Sequence, residues 1–293
     1  MRSMHPGRFA NRRVLLAYSV DADDAFMFHA VRTGSIETQG IRFEHVRGDT
    51  AELNALADAG EADVVAISAG HYPQVADRYL LLPHGASIGR GFGPVVVARQ
   101  PMTLPQLAGR RVGIPGRSTT AWLVLRMMQP DLQPTVVPIV PFGRIFEALD
   151  SGAIDAALLI HEGRLLYEAR GYHKVADLGE WWLQEASLPL PLGVNVIRRE
   201  LGAELIATVS GILRTAIGYA LAHRDEVIAA IVGEKRGDAA LEQASLLDRY
   251  LAMYANEDTR NMAPDARRAI EVLYDRAREA GLIAHGSAVE WAP

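Results

Sequence analysis

The sequence predicts a two-lobed α/β protein that closes around a small molecule, and three observations carry that expectation. Short β-branched runs alternate with helical stretches, the pattern of sheets covered by helices and, most simply, of parallel strands. Two extended runs, 95–99 and 194–198, stand where the chain can cross between lobes. The chain has 293 residues, 49% of them apolar, enough for two cores of ordinary domain size. The expected division is residues 1–97 with 198–293 as a discontinuous first lobe and 98–197 as an inserted second lobe. Such a topology suits a hinged clamp with a cleft between its halves.

Each element has a local reason. Val14-Leu15-Leu16-Ala17-Tyr18 is an apolar first strand, and Phe26-Met27-Phe28 with Ala30-Val31 marks a helix behind it. Residues 41–46 read as a second strand. Residues 51–59 carry apolar side chains at helical spacing, and Gly60 stops that helix. Val64-Val65-Ala66-Ile67 is a buried strand running into Ser68. Gly85, Gly89, Gly91 and Gly93 loosen the chain before Val95-Val96-Val97-Ala98, expected to pass between lobes. A second α/β unit begins at Arg111-Val112-Gly113-Ile114. Its helix, 121–128, ends at Gln129-Pro130, because a residue before proline avoids the helical region. Residues 136–140 read as a strand, 145–149 as a short helix and 155–160 as a buried strand ending at His161. Pro189 and Pro191 forbid a helix there, and 194–197 is the return strand. Apolar stripes over 205–222, 239–253 and 264–280 predict helices, with Gly281 after the last.

Composition removes several classes of function. With no cysteine there is no disulfide, thiolate nucleophile, iron–sulfur cluster or thiolate zinc site. A formal charge of −5 argues against a general nucleic-acid partner, which needs a basic face. Arg2, Arg8, Arg12 and Arg13 make a basic start, but the apolar run after them is short and is interrupted by Asp21, Asp23 and Asp24. That is no secretory signal. No window reads as a membrane span, so the expected compartment is the cytoplasm.

In open α/β sheets ligands gather beyond the carboxyl ends of strands, and three such ends carry polar groups. Ser68 follows a buried strand; its hydroxyl faces a cleft or bonds its own turn. Ser118, Thr119 and Thr120 precede a helix whose first N–H groups and dipole favour a carboxylate or phosphate. Capping explains one of these hydroxyls, and three in succession point to an anion site. No Gly-Lys-Ser/Thr of a Walker loop follows. His161 closes the strand Leu158-Leu159-Ile160; an imidazole there either exchanges protons near neutral pH or is a satisfied structural histidine. Glu162 is a possible partner for the ring, although neighbours on a strand face opposite ways. No second histidine follows at zinc-binding spacing. Asp21, Asp23 and Asp24 follow the first strand and bind a cation or ligand hydroxyls, or cap the next helix. His71, His84, Arg90 and the pair Trp181-Trp182 show no diagnostic spacing.

Specific strings resemble the 1,4-dihydroxy-6-naphthoate synthases of the futalosine route to menaquinone. They are Gly89-Arg90-Gly91-Phe92-Gly93-Pro94 with the strand after it, Pro115 to Ala121, Ile160-His161-Glu162-Gly163-Arg164, Leu178-Gly179-Glu180-Trp181-Trp182 and Leu188-Pro189-Leu190-Pro191-Leu192-Gly193. The resemblance covers nearly the whole chain in order. It implies a type II periplasmic-binding-protein-like fold without an export signal. It also implies a cofactor-free, metal-free lyase that cleaves cyclic dehypoxanthine futalosine by base-initiated carbon–carbon scission, or a close relative acting on a similar small acid. The histidine matching His161 is the base there, and Ser68, Thr119 and Thr120 match substrate-holding positions. Where the family has Ser-Pro-Cys-Pro-Asn-Asp-Thr-Phe, this chain has Ser19-Val20-Asp21-Ala22-Asp23-Asp24-Ala25-Phe26. Trading the amide for Asp23 removes two donors. Ser19, Asp23 and Asp24 are expected at the substrate, as is Asn195, an amide where the family is apolar or small. The competing expectation is a solute-binding protein or sensor that clamps a small acid without reacting with it.

Overall fold

The computed structural model describes residues 8–9, 11–141, 143–234, 243–284 and 288–293. Among them the strands, numbered in chain order, form two sheets. The first holds β1 (Arg13–Ser19), β2 (Arg42–Gly48), β3 (Val64–Ser68), β4 (Tyr79–Leu81), β5 (Ser87–Gly89) and β11 (Leu190–Arg198), in the order β2-β1-β3-β11-β4 with β5 also on β11. The second holds β6 (Val95–Ala98), β7 (Arg111–Ile114), β8 (Gln133–Val136), β9 (Ala156–Leu159) and β10 (His173–Asp177), in the order β10-β6-β9-β7-β8.

These sheets cut the chain differently from the expected boundaries after 97 and 197. β6 bonds β9 and β10 along its whole length, so the second lobe already owns residue 95. β11 bonds β3, β4 and β5, so residues 190–197 belong to the first lobe. The sheets are also mixed rather than parallel. β1 runs parallel to β2 and β3, and β7 to β8 and β9, whereas β6 and β11 run antiparallel to their neighbours. The strands that enter or leave a lobe are those that reverse direction.

The helices are α1 (Ala22–Met27), α2 (His29–Thr33), α3 (Thr50–Ala59), α4 (Tyr72–Val75), α5 (Thr120–Met128), α6 (Arg144–Asp150), α7 (Leu178–Ala186), α8 (Ala203–Ala222), α9 (Arg224–Val232), α10 (Ala244–Tyr254), α11 (Glu257–Arg260) and α12 (Pro264–Glu279). Asp49 and Glu52 form a reciprocal capping box at the start of α3, and Gly60 ends it at φ 68. The strand expected over 136–140 lies instead at Gln133–Val136, where it pairs in parallel with β7. Of the helix expected over 239–253, residues 239–242 lie outside the described residues, and the helix runs from Ala244. Contrary to the expectation that no window reads as a span, α8 is long and apolar enough to cross a membrane. Its apolarity has a use inside the protein: Leu205, Val209, Leu213, Ala216, Ile217 and Ala220 are buried, most of them against β1 and α2 residues. One large core unites β3, β11, α5 and α12, so packing crosses from lobe to lobe beside the cleft.

Candidate active site between the lobes

Between the lobes lies a cleft of about 750 Å³, counted out into the open solvent at its mouth. Its walls come from the β1–α1 connection, α3, β3, the 85–94 segment, the start of α5, the end of β9, β11 and α10. His161, Ser19, Asp23, Asp24, Ser68, Thr119, Thr120 and Asn195 all line it, whereas Ser118 does not.

His161 starts a 3-10 turn directly after β9, with Ile160 still extended. Its backbone sits at φ 51, in the left-handed region that side chains with a Cβ seldom adopt. Strain of this kind persists only where surrounding contacts enforce it, and it gathers at functional sites. The enforcing contacts surround the ring. Nδ1 lies 2.6 Å from Oδ2 of Asp21, and the Tyr250 hydroxyl lies 3.5 Å from the same nitrogen. Nε2 lies 3.4 Å from the Thr50 hydroxyl. The orienting carboxylate is therefore Asp21; Glu162, next to His161 in sequence, is fully buried and contributes a nearby charge.

Asp21 occupies the N-cap of α1 but makes no capping bond with its side chain, which turns to the imidazole instead. Asp23 is braced on both oxygens: the Ser87 hydroxyl donates to Oδ2 at 2.6 Å and the Tyr250 hydroxyl to Oδ1 at 3.1 Å. Asp24 accepts the Ser19 backbone N–H at 2.7 Å, and the Ser19 hydroxyl accepts the Asp21 N–H at 3.2 Å. So Ser19 and Asp24 are joined to each other and shape the loop that carries Asp21.

Three buried carboxyl groups side by side cannot all ionise. Burial raises Asp23 well above the usual carboxylate range, and the charges of Asp21 and Asp24 push it further. Burial, then the Asp21 charge, lifts Asp24 to about 7. Burial also works to raise Asp21, but the His161 charge and hydrogen bonds from His161, Asp23 and Ser19 outweigh it and bring it to about 2. Burial works to lower His161; the charge and hydrogen bond of Asp21, then Asp23 and Glu162, outweigh that and raise it to about 9. The resting site is thus an ionised Asp21 facing an imidazolium, with Asp23 neutral behind them.

The opposite wall is neutral. Here the structure corrects the reading of Ser118, Thr119 and Thr120 as a row of ligand-binding hydroxyls. The Ser118 hydroxyl accepts from Asn54 of α3 at 2.9 Å, outside the cleft lining. Thr119 caps its own helix, accepting from the Trp122 N–H and donating to the Gly116 carbonyl. Thr120 spans the lobes, accepting the Gly70 N–H at 2.9 Å and donating to the Leu192 carbonyl at 2.7 Å. These hydroxyls are committed to the fold. What the helix start still offers a ligand is its leading backbone N–H groups, which have no intrahelical acceptor. Ser68 is held by Asn54, its N–H donating to Oδ1 at 3.0 Å and its hydroxyl accepting from Nδ2 at 3.5 Å.

Asn195 differs from them all. It is 1% exposed and lines the cleft, yet among the described residues neither its Oδ1 nor its Nδ2 has a partner. A buried amide without partners is costly, and a ligand offering one donor and one acceptor would satisfy it. The amide is seated over Gly85, where an added Cβ would fall 2.0 Å from Nδ2. Gly85 itself adopts φ 77, so its lack of a side chain serves both backbone and neighbour.

Asp21, Asp23 and His161 each present one ligand atom within 4.8 Å of the others, close enough for a shared cation. However, the 2.6 Å between Nδ1 and Oδ2 is close to the length of a charge-assisted hydrogen bond and shorter than the roughly 3 Å that separates two ligands of one metal ion. Sequence reasoning missed Asp21 as a partner of His161, as well as Thr50, Asn54, Ser87 and Tyr250. The only available signal was the carboxylate-dense segment after the first strand; Tyr250 sits in an ordinary amphipathic helix and carried none.

Comparison with known proteins identifies the family. A family profile described as menaquinone biosynthesis matches residues 14–279. A curated relative, the 1,4-dihydroxy-6-naphthoate synthase of Thermus thermophilus, is 35% identical over 92% of this chain and 95% of its own length. A crystal structure of a protein from Archaeoglobus fulgidus superposes with a TM-score of 0.86 at 39% identity, covering 92% of this chain and 98% of that one. The alkanesulfonate-binding protein of Xanthomonas axonopodis pv. citri, bound to MOPS, has a TM-score of 0.72 at 12% identity, covering 96% and 97%. That last likeness concerns the fold, which is the two-lobed periplasmic-binding-protein-like one. On the profile and the curated relative together, this chain is an enzyme and belongs to the menaquinone-biosynthesis family.

Proposed function

We propose that the protein is a lyase that cleaves cyclic dehypoxanthine futalosine, or a close relative of it, to release 1,4-dihydroxy-6-naphthoate, with His161 as the general base and without a cofactor. The observation that carries this reading is the imidazole itself: backbone-strained, paired with Asp21 and lining the cleft on its way to Thr50. Base-initiated scission needs a group to take a proton, donors for the charge that then develops, and little competing water. His161 supplies the first in its neutral form. Tyr250 lies 3.5 Å from its Nδ1, and Asp23 lines the same cleft while accepting the hydroxyl protons of Ser87 and Tyr250. The start of α5 and the unpartnered Asn195 suit a substrate carboxylate and an adjoining polar group on the far wall. The reaction is placed in the cytoplasm.

Incubating purified protein with cyclic dehypoxanthine futalosine and following the product by mass spectrometry tests the proposal. Formation of the naphthoate by the wild type, and its loss in His161→Ala, is the expected outcome. Binding with the ligand recovered unchanged would instead favour a clamp that holds a small acid without reacting.

A further inference from the structure

We infer that Asp21, delivered from the first lobe, is the positioning residue for His161 on the second. This rests on reading His161 as the base and adds how the base is set.

Asp21 follows β1 of the first sheet, while His161 follows β9 of the second. Their 2.6 Å contact therefore bridges the cleft. A carboxylate on Nδ1 keeps a proton on that nitrogen, so Nε2 is the nitrogen free to accept one. Nε2 is the atom beside Thr50. When it takes a proton from the substrate, the new positive charge on the ring faces the existing negative charge of Asp21. No proton need move between Asp21 and His161 in that step. Asp21 is freed for this role because it does not cap α1, and its second oxygen, Oδ1, is buried without a hydrogen-bond partner. Burial and the charges of Asp21 and Asp24 push Asp23 toward its neutral form beside the ion pair, against the hydrogen bonds it accepts from Ser87 and Tyr250.

The other groups around the ring act in a consistent direction. Asp24 on the first lobe and Glu162 on the second lobe's own turn add negative charge. Tyr250 and Tyr254 of α10 are held neutral, their ionisation pushed upward by burial. Arg164, two residues beyond Glu162, is tied up with Asp177 at 2.8 Å. The ring therefore loses its second proton only on the alkaline side of neutrality, and the neutral, working form gains population as pH rises toward about 9.

The test uses the full chain labelled with ¹⁵N-histidine, and the lyase assay with cyclic dehypoxanthine futalosine. In the wild type, the His161 ring is expected to titrate well above an ordinary histidine and to keep its proton on Nδ1 once neutral. The pH profile of kcat should rise on the same limb. Asp21→Asn should lower kcat on the order of 10²-fold with KM changed far less, and move that limb toward acid pH. A variant that loses rate with its limb unmoved, or a wild-type ring that is protonated on Nε2 when neutral, overturns the inference. If Asp21→Asn does not fold, the wild-type titration decides alone. Full turnover by His161→Ala would sink the base assignment itself, an outcome separate from either of these.

Discussion

On the wall formed by the β1–α1 connection, ionisable groups face one another and the imidazole. On the wall formed by α5 and β11, the polar groups are neutral, and Thr120, with Ser118 behind it, bonds one lobe to the other. Both walls are built from short polar side chains at the ends of strands, so chain position does not separate them. Burial with or without a partner does. Asp21, Asp23 and Asp24 compete for protons because they are buried together. Thr120 and Ser118 have no such competition and serve as joints. Under the proposed function, proton transfer belongs to the first wall and grip and closure to the second.

The sharpest break in this division would come from the first wall. His161→Ala should cut kcat on the order of 10²–10⁴-fold, as loss of a proton-transfer group does, with ligand affinity by calorimetry nearly retained. Equal loss of affinity would mean that the ring grips rather than reacts. Next in size is Thr120→Val on the second wall. It strands the buried Gly70 N–H and Leu192 carbonyl, at a cost of about 1–3 kcal/mol, and should appear as a lower denaturation midpoint and as a more open cleft by small-angle scattering. Asn195→Ala should raise KM about tenfold, the equivalent of about 1.4 kcal/mol, with kcat little altered; a change confined to kcat would move Asn195 to the reacting side.

The smallest effect concerns pH. Asp24 binds its proton more tightly folded, at about 7, than an ordinary carboxyl does in the unfolded chain. From the unfolded value up to about 7 the native state therefore holds more protons, and this group's contribution to stability falls as pH rises through that window. Asp24→Asn removes the slope. Relative to wild type, the variant should gain stability on the order of 1 kcal/mol at pH 8 and gain none at pH 4, read from urea midpoints.

How much of this was legible in the sequence follows from the range of the interactions. His161 stood out because it closes an apolar run, and Thr119 and Thr120 because they precede a helix; both signals are local. What Thr120 does was hidden, since its partners Gly70 and Leu192 belong to the other lobe. Asp21 was visible as an acid after a strand, but its partner comes from a different sheet. β4 and β5 span three residues each, too few to show a period of two. The boundary errors at 97 and 197 have the same origin: a strand's lobe is decided by its hydrogen-bond partners, and β6 and β11 are equally apolar whichever sheet they join.

Gly85 under Asn195 also bears on how this cleft can be altered. With only 2.0 Å between a notional methyl group and the amide, the two positions form an interlocked seat and occupant. Enlarging the seat first evicts the occupant, whereas shrinking the occupant first removes that clash and leaves only the backbone strain of a side chain at φ 77. Retuning the cleft toward another acid is therefore order-dependent: position 195 has to change before position 85.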